Sequence, residues 1–188
     1  MKSNQIQNLW RRPRISLKTG GFVNIISKRG IMEINEKFLS PCGLYCGVCG
    51  VYYATRDNNP KFLEKLLNFY QNAVPGLEDL TIKDLECEGC LSDNISFFCQ
   101  VCSIKDCNKK KGYSGCHECD DFPCQFIEDF PVPVGKKVIL RSVPYRKKWG
   151  TEKWIEDEES RYVCPDCDQT IFRGAKRCNK CRVEVDLD

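Results

Sequence analysis

Cys42-Gly43-Leu44-Tyr45-Cys46-Gly47-Val48-Cys49-Gly50 opens a series of short cysteine loops that supplies thiols as far as Cys181. Cys46 and Cys49 stand too close in sequence for an easy mutual disulfide, but their spacing suits two corners of one tetrahedral ion. The chain holds fifteen cysteines in 188 residues, an odd number with no secretory signal ahead of it. Metal coordination is therefore expected in place of a disulfide framework. Small domains of this cysteine density use cross-links where a hydrophobic core falls short.

The strongest spacing lies at the C-terminus, where Cys164-Pro165-Asp166-Cys167 is followed after ten residues by Cys178-Asn179-Lys180-Cys181. Two such knuckles facing each other supply four sulfurs to a tetrahedron, and ten residues suffice for a hairpin turning near Arg173-Gly174. Val183, Val185 and Leu187 alternate as a strand does. Burial alone cannot order so few apolar residues, whereas zinc contributes about 10 to 16 kcal/mol in peptides of this kind. A zinc ribbon is expected here.

The body holds the other eleven cysteines and the only histidine, His117. Cys46, Cys49, Cys87 and Cys90 form the best single site, with glycines that let backbone amides turn toward sulfur. Cys102, Cys107, Cys119 and Cys124 form the next, with Cys116 a close substitute and Cys42, Cys99 and His117 as further possible ligands. An interleaved pairing fits the spacing equally well. Counting ligands gives about two to three zinc ions, with an iron-sulfur cluster as the alternative, because thiolates accept both metals. Cys42-x3-Cys46-x2-Cys49 also matches the cluster loop of radical enzymes that use S-adenosylmethionine, but the repeats of their barrel are missing.

Residues 1–31 carry seven Lys or Arg and no acid, leaving 22 basic against 26 acidic residues in the remainder. This tail reads as disordered or not translated, and the slightly acidic body argues against a general nucleic-acid binder. Residues 32–130 read as a cysteine-rich metal-binding domain, 131–161 as a charged, partly helical linker, and 162–188 as the ribbon. Asn59 before Pro60, then Phe62, Leu63, Leu66, Phe69, Tyr70 and Ala73, predict an amphipathic helix ending near Val74-Pro75-Gly76. Shorter helices are expected from Ser103, with Gly112 past the end, and from about Asp121, placing Cys102 and Cys124 at helix N-termini. The fold class is thus a small metal-stabilised α+β protein of irregular cysteine-rich loops and a few short helices, plus a C-terminal zinc-ribbon β-hairpin.

CGLYCGVC at 42–49, CEGCLSD at 87–93, Cys102-x4-Cys107 and KKKGYSGCHECDDFPC at 109–124 together resemble a small cysteine-rich prokaryotic family known as a domain of unknown function. The likeness covers residues 41 to 130. From Trp154 through YVCPDC to RCNKC the chain is similar to zinc ribbons appended to some members, with Asp168 standing where a glycine is usual. The resemblance implies a cytoplasmic, prokaryotic setting and carries no activity with it.

No Ser-His-Asp, paired-carboxylate, phosphate-loop or dinucleotide pattern is present, so the reading leans away from an enzyme. A zinc-binding structural or interaction module with a protein partner is expected. The alternatives are an iron-sulfur or thiol-dependent redox protein, and a nucleic-acid-associated ribbon protein using the basic stretch 136–148. No run of residues is long and apolar enough to suggest a membrane helix.

Overall fold

The computed structural model describes residues 22–27 and 30–188; the other residues of the expected basic tail lie outside it. Phe22–Ser27 (β1) and Gly30–Asn35 (β2) pair as an antiparallel two-stranded sheet in the register Phe22↔Asn35 to Ser27↔Gly30. They belong to a unit that ends at Glu36, and Lys37–Asp188 form a second unit.

This second unit is mostly helical. Gly50–Arg56 (α1) starts directly after Cys49. Pro60–Ala73 (α2) follows, with Asn59 Oδ1 accepting the Phe62 N–H at 3.1 Å, so the capping residue and the proline act where the sequence places them. Leu63 and Leu67 of α2 bury against Val51, Ala54, Leu85 and Cys87. Each of these leucines contributes about 1.5 to 3 kcal/mol of transfer free energy. Ile82–Leu85 (α3) begins at a capping box, in which Asp84 Oδ2 accepts the Thr81 N–H at 2.8 Å and its hydroxyl at 2.7 Å.

Phe97–Gln100 (α4) and Ser103–Lys111 (α5) come next, the latter stopped by Gly112 in the left-handed region. Gln125–Glu128 (α6) begins later than the sequence suggests, with Cys124 as its N-cap. Cys102 and Cys124 thus sit at helix N-termini as expected.

The segment read as a charged linker folds into two packed helices, Pro133–Trp149 (α7) and Thr151–Arg161 (α8), joined at Gly150. Ile139 and Val143 of α7 close a core with Cys42, Ile104, Cys116 and Ile127. Trp154 of α8 is fully buried, edge-on to Tyr45 at 5.6 Å and under the Arg146 guanidinium at 4.5 Å.

The C-terminal β-hairpin is not formed, which corrects both that expectation and the α+β class. Residues 162–188 show the isolated bridges Val163↔Thr170 and Arg177↔Glu184, and the described residues outside β1 and β2 contain no strand. The cause lies in where the backbone hydrogen bonds go. Each knuckle closes its own tight loop, and between them the Arg173 N–H turns to the body and donates to Val48 O at 2.8 Å.

Candidate metal centre

Cys164, Cys167, Cys178 and Cys181 bring their four sulfurs within 4.8 Å of one another. Cys164 Sγ lies 3.5 Å from Cys181 Sγ, and Cys167 Sγ lies 3.7 Å from Cys178 Sγ. Four thiolates on one zinc, with bonds of about 2.3 Å at tetrahedral angles, require sulfur-sulfur edges of about 3.8 Å. The group can therefore hold a metal ion with little rearrangement.

The two knuckles are built alike. In one, Cys164 N–H donates to Gln169 O and Asp168 N–H to Cys164 O; in the other, Cys178 N–H donates to Val183 O and Arg182 N–H to Cys178 O. Asp168 at φ +55° and Arg182 at φ +69° each follow the second cysteine of their knuckle, and both adopt the left-handed conformation that tightens the loop. Asp168 makes that turn without the usual glycine.

The thiols also oppose one another electrostatically. Backbone N–H groups of Cys181 and Lys180, aided by the thiols of Cys164 and Cys181, pull Cys178 down to about 6. The Val183 N–H favours the thiolate of Cys181 too, but desolvation within the cluster and its three sulfur neighbours outweigh it and push Cys181 up to about 12. Four sulfurs this close share protons reluctantly, and a dication that displaces those protons relieves the conflict.

A buried ionic network fixes the cluster to the helices. Arg173 donates to Tyr45 O at 2.8 Å and lies 3.6 Å from Glu158, which also meets Arg141 at 2.8 Å. Glu158 is fully buried, and that burial raises its carboxyl against the pull of Arg173 and Arg141. Phe172 packs on Phe62 with ring centroids 4.9 Å apart.

The body thiols fall into two neighbourhoods. Around the opening loop, Cys46 Sγ accepts the Cys90 N–H at 3.4 Å, and Cys87 Sγ accepts the Gly89 N–H at 3.3 Å. Gly89, at φ +124°, has no room for a side chain, because a Cβ there would meet Lys37 O at 2.5 Å. Cys99 is an electrostatic neighbour of Cys87 and Cys90, so it joins the expected Cys46, Cys49, Cys87 and Cys90. Cys42 lies between the two neighbourhoods, in the core with Cys116 and with Cys102 and Cys99 as electrostatic neighbours, and burial pushes its thiol up to about 12.

In the second neighbourhood Cys107, Cys119 and Cys124 surround Cys116. Cys102, grouped with them by its spacing, packs against the same core as Cys116 and Cys124 and caps α5 by accepting the Lys105 N–H at 3.5 Å. The signal for Cys116 and for Cys99 was present: Cys116-x-x-Cys119 and Cys99-x-x-Cys102 repeat the knuckle spacing. No three body sulfurs among the described residues share the single-ion spacing of the C-terminal four. His117 lies 3.7 Å from Glu118, and burial together with Arg146 lowers it to about 4, so the ring is neutral near pH 7.

These features define a mostly helical, cysteine-rich protein with a C-terminal four-cysteine cluster able to hold a metal ion. Residues 38–129, close to half of the chain, match the model of the family described as "Protein of unknown function (DUF3795)", and over that stretch the chain is similar to this family. No curated protein and no solved structure matches the chain. Among the described residues no helix is long and apolar enough to cross a membrane.

Proposed function

We propose that the C-terminal cluster holds a structural zinc ion, and that the chain is a metal-stabilised interaction module with a protein partner in a reducing, cytoplasmic compartment. The observation that carries the zinc assignment is the pair of sulfur-sulfur distances, 3.5 and 3.7 Å, which lie near the edge of a zinc-thiolate tetrahedron. All four positions are protein thiols, as in closed structural sites, so no corner is left for a reacting water. The fifteen cysteines are free thiols, in keeping with a reducing setting.

The reading extends to Cys46, Cys49, Cys87 and Cys90, with Cys99 as a fifth sulfur, as a further metal centre. A protein partner is preferred to nucleic acid because the basic stretch 136–148 is largely engaged within the fold. Lys136 pairs with Glu128, Arg141 with Asp157 and Glu158, and Lys147 with Asp120, while Arg146 is buried on Trp154.

Elemental analysis of the full chain purified without oxygen, beside Cys178→Ser, tests the zinc assignment. The variant is expected to lose about one equivalent of zinc; equal zinc in both proteins overturns it. Steeply salt-dependent retention on heparin would overturn the preference for a protein partner.

A further inference from the structure

We propose that the cavity walled by Cys107, Cys116, Cys119 and Cys124 is a second, wider thiolate site that takes a four-iron, four-sulfide cluster, one cysteine to each iron. This goes beyond the zinc reading and stands whether or not that reading holds.

The four sulfurs come from separate elements. Cys107 lies in the second turn of α5, Cys116 and Cys119 bracket the tight turn at 116–118, and Cys124 caps α6. All four line one cavity of about 260 Å³, with Ile104, Phe122 and Phe126 forming much of its apolar wall. Cys116 has each of the other three thiols for an electrostatic neighbour. The spacing Cys107-x8-Cys116-x2-Cys119-x4-Cys124 differs from the ferredoxin runs, so the fold gathers these residues where sequence spacing alone does not.

Size separates the two metals. A lone tetrahedral ion draws its sulfurs to about 3.8 Å and leaves no void among them. The C-terminal four have that spacing and the cavity four do not. A four-iron cluster puts each cysteine on a different iron, so its thiolates must stand farther apart around an apolar space. The cavity supplies the space, and its four thiols are not drawn together as a lone ion would draw them.

Donors to sulfur are already in place. Asn108 is buried, and its Nδ2 donates to Ile104 O at 2.8 Å and to Cys116 Sγ at 3.2 Å. Lys111 Nζ donates to Cys119 Sγ at 3.4 Å while paired with Asp121 at 3.0 Å. N–H groups aimed at cluster thiolates offset their charge and raise the reduction potential.

The test is anaerobic reconstitution of the full chain with ferrous iron and sulfide, read by iron and sulfide content, visible absorbance, and electron paramagnetic resonance after dithionite reduction. Wild type is expected to bind about four irons and four sulfides per chain. Cys116→Ser with Cys124→Ser is expected to lose them while keeping its helical circular dichroism and its C-terminal zinc; Cys46→Ser with Cys87→Ser is expected to retain them. Asn108→Leu leaves all four thiols in place and keeps the test informative if the double variant fails to fold. It is expected to bind the cluster at a lower reduction potential. Failure to bind iron and sulfide, zinc alone in the cavity, or a cluster indifferent to both Cys116→Ser with Cys124→Ser and Asn108→Leu overturns the proposal. The zinc reading fails separately, on the Cys178→Ser comparison.

Discussion

The C-terminal four cysteines and the four around the body cavity offer the same donor atoms in opposite arrangements. At the C-terminus two short knuckles, each closed by its own backbone hydrogen bonds, bring sulfur to within 3.5 Å of sulfur. In the body the thiols hang from α5, a tight turn and the start of α6, so helix packing sets their separation and a space remains between them. Donor chemistry alone does not choose the metal; the rigidity and span of the backbone beneath the donors decide what fits.

The sharpest way to break the comparison is to remove the ion from one side. A strong chelator at neutral pH should release segment 162–188 while helices α1 to α8 persist. The ion contributes about 10 to 16 kcal/mol in small zinc peptides, far more than the few apolar residues Ile171, Ala175 and Val185 can supply by burial. Limited proteolysis should then cut between Tyr162 and Asp188 first. Equal resistance with and without chelator would show that packing on the body, and not metal, orders the segment.

A smaller effect separates the metal from that packing. Arg173→Ala removes the guanidinium that bonds Tyr45 O and leaves Glu158 buried with Arg141 alone. Breaking such a buried pair costs about 3 to 5 kcal/mol. Thermal unfolding should shift down accordingly while zinc content stays at the wild-type level. Loss of zinc in this variant would mean that docking on α8 and the opening loop is needed to hold the knuckles closed.

How much of this was legible in the sequence follows from the range of the forces involved. Helix α2 was readable because its signals are local: Asn59 caps, Pro60 starts and the apolar stripe repeats within a few residues. The knuckles were readable for the same reason, since two residues separate each pair. The start of α8 at Thr151, with Trp154 and Ile155 turned inward, was readable for the same reason; the packing of α7 was masked by its charge run, because the partners that neutralise Lys136, Arg141 and Lys147 lie eight to twenty-seven residues away. The absent hairpin followed from Arg173, whose backbone N–H pairs with Val48, a partner no local pattern reveals. The grouping of Cys107, Cys116, Cys119 and Cys124 depends on how α5 meets α6 and α7, which spacing does not encode.

The smallest expected effect tests how far backbone strain in the knuckle limits the stability of the closed, metal-loaded geometry. Arg182 holds φ +69° immediately after Cys181, a conformation that costs a residue with a Cβ about 1 to 2 kcal/mol. Its side chain is exposed, so Arg182→Gly should relieve that strain without emptying a packed position. Glycine gives back about 0.5 to 1 kcal/mol through the freedom it gains in the unfolded chain, and the net gain should be about half a kcal/mol or slightly more. Asp168→Gly should gain less, because aspartate enters the left-handed region more readily than arginine does. Chemical denaturation of the metal-loaded protein, followed by amide exchange in 178–185, reads the difference. A loss of stability on Arg182→Gly would mean that arginine is held there by contacts worth more than its strain, and that this knuckle is closed by its side chains and not by its turn.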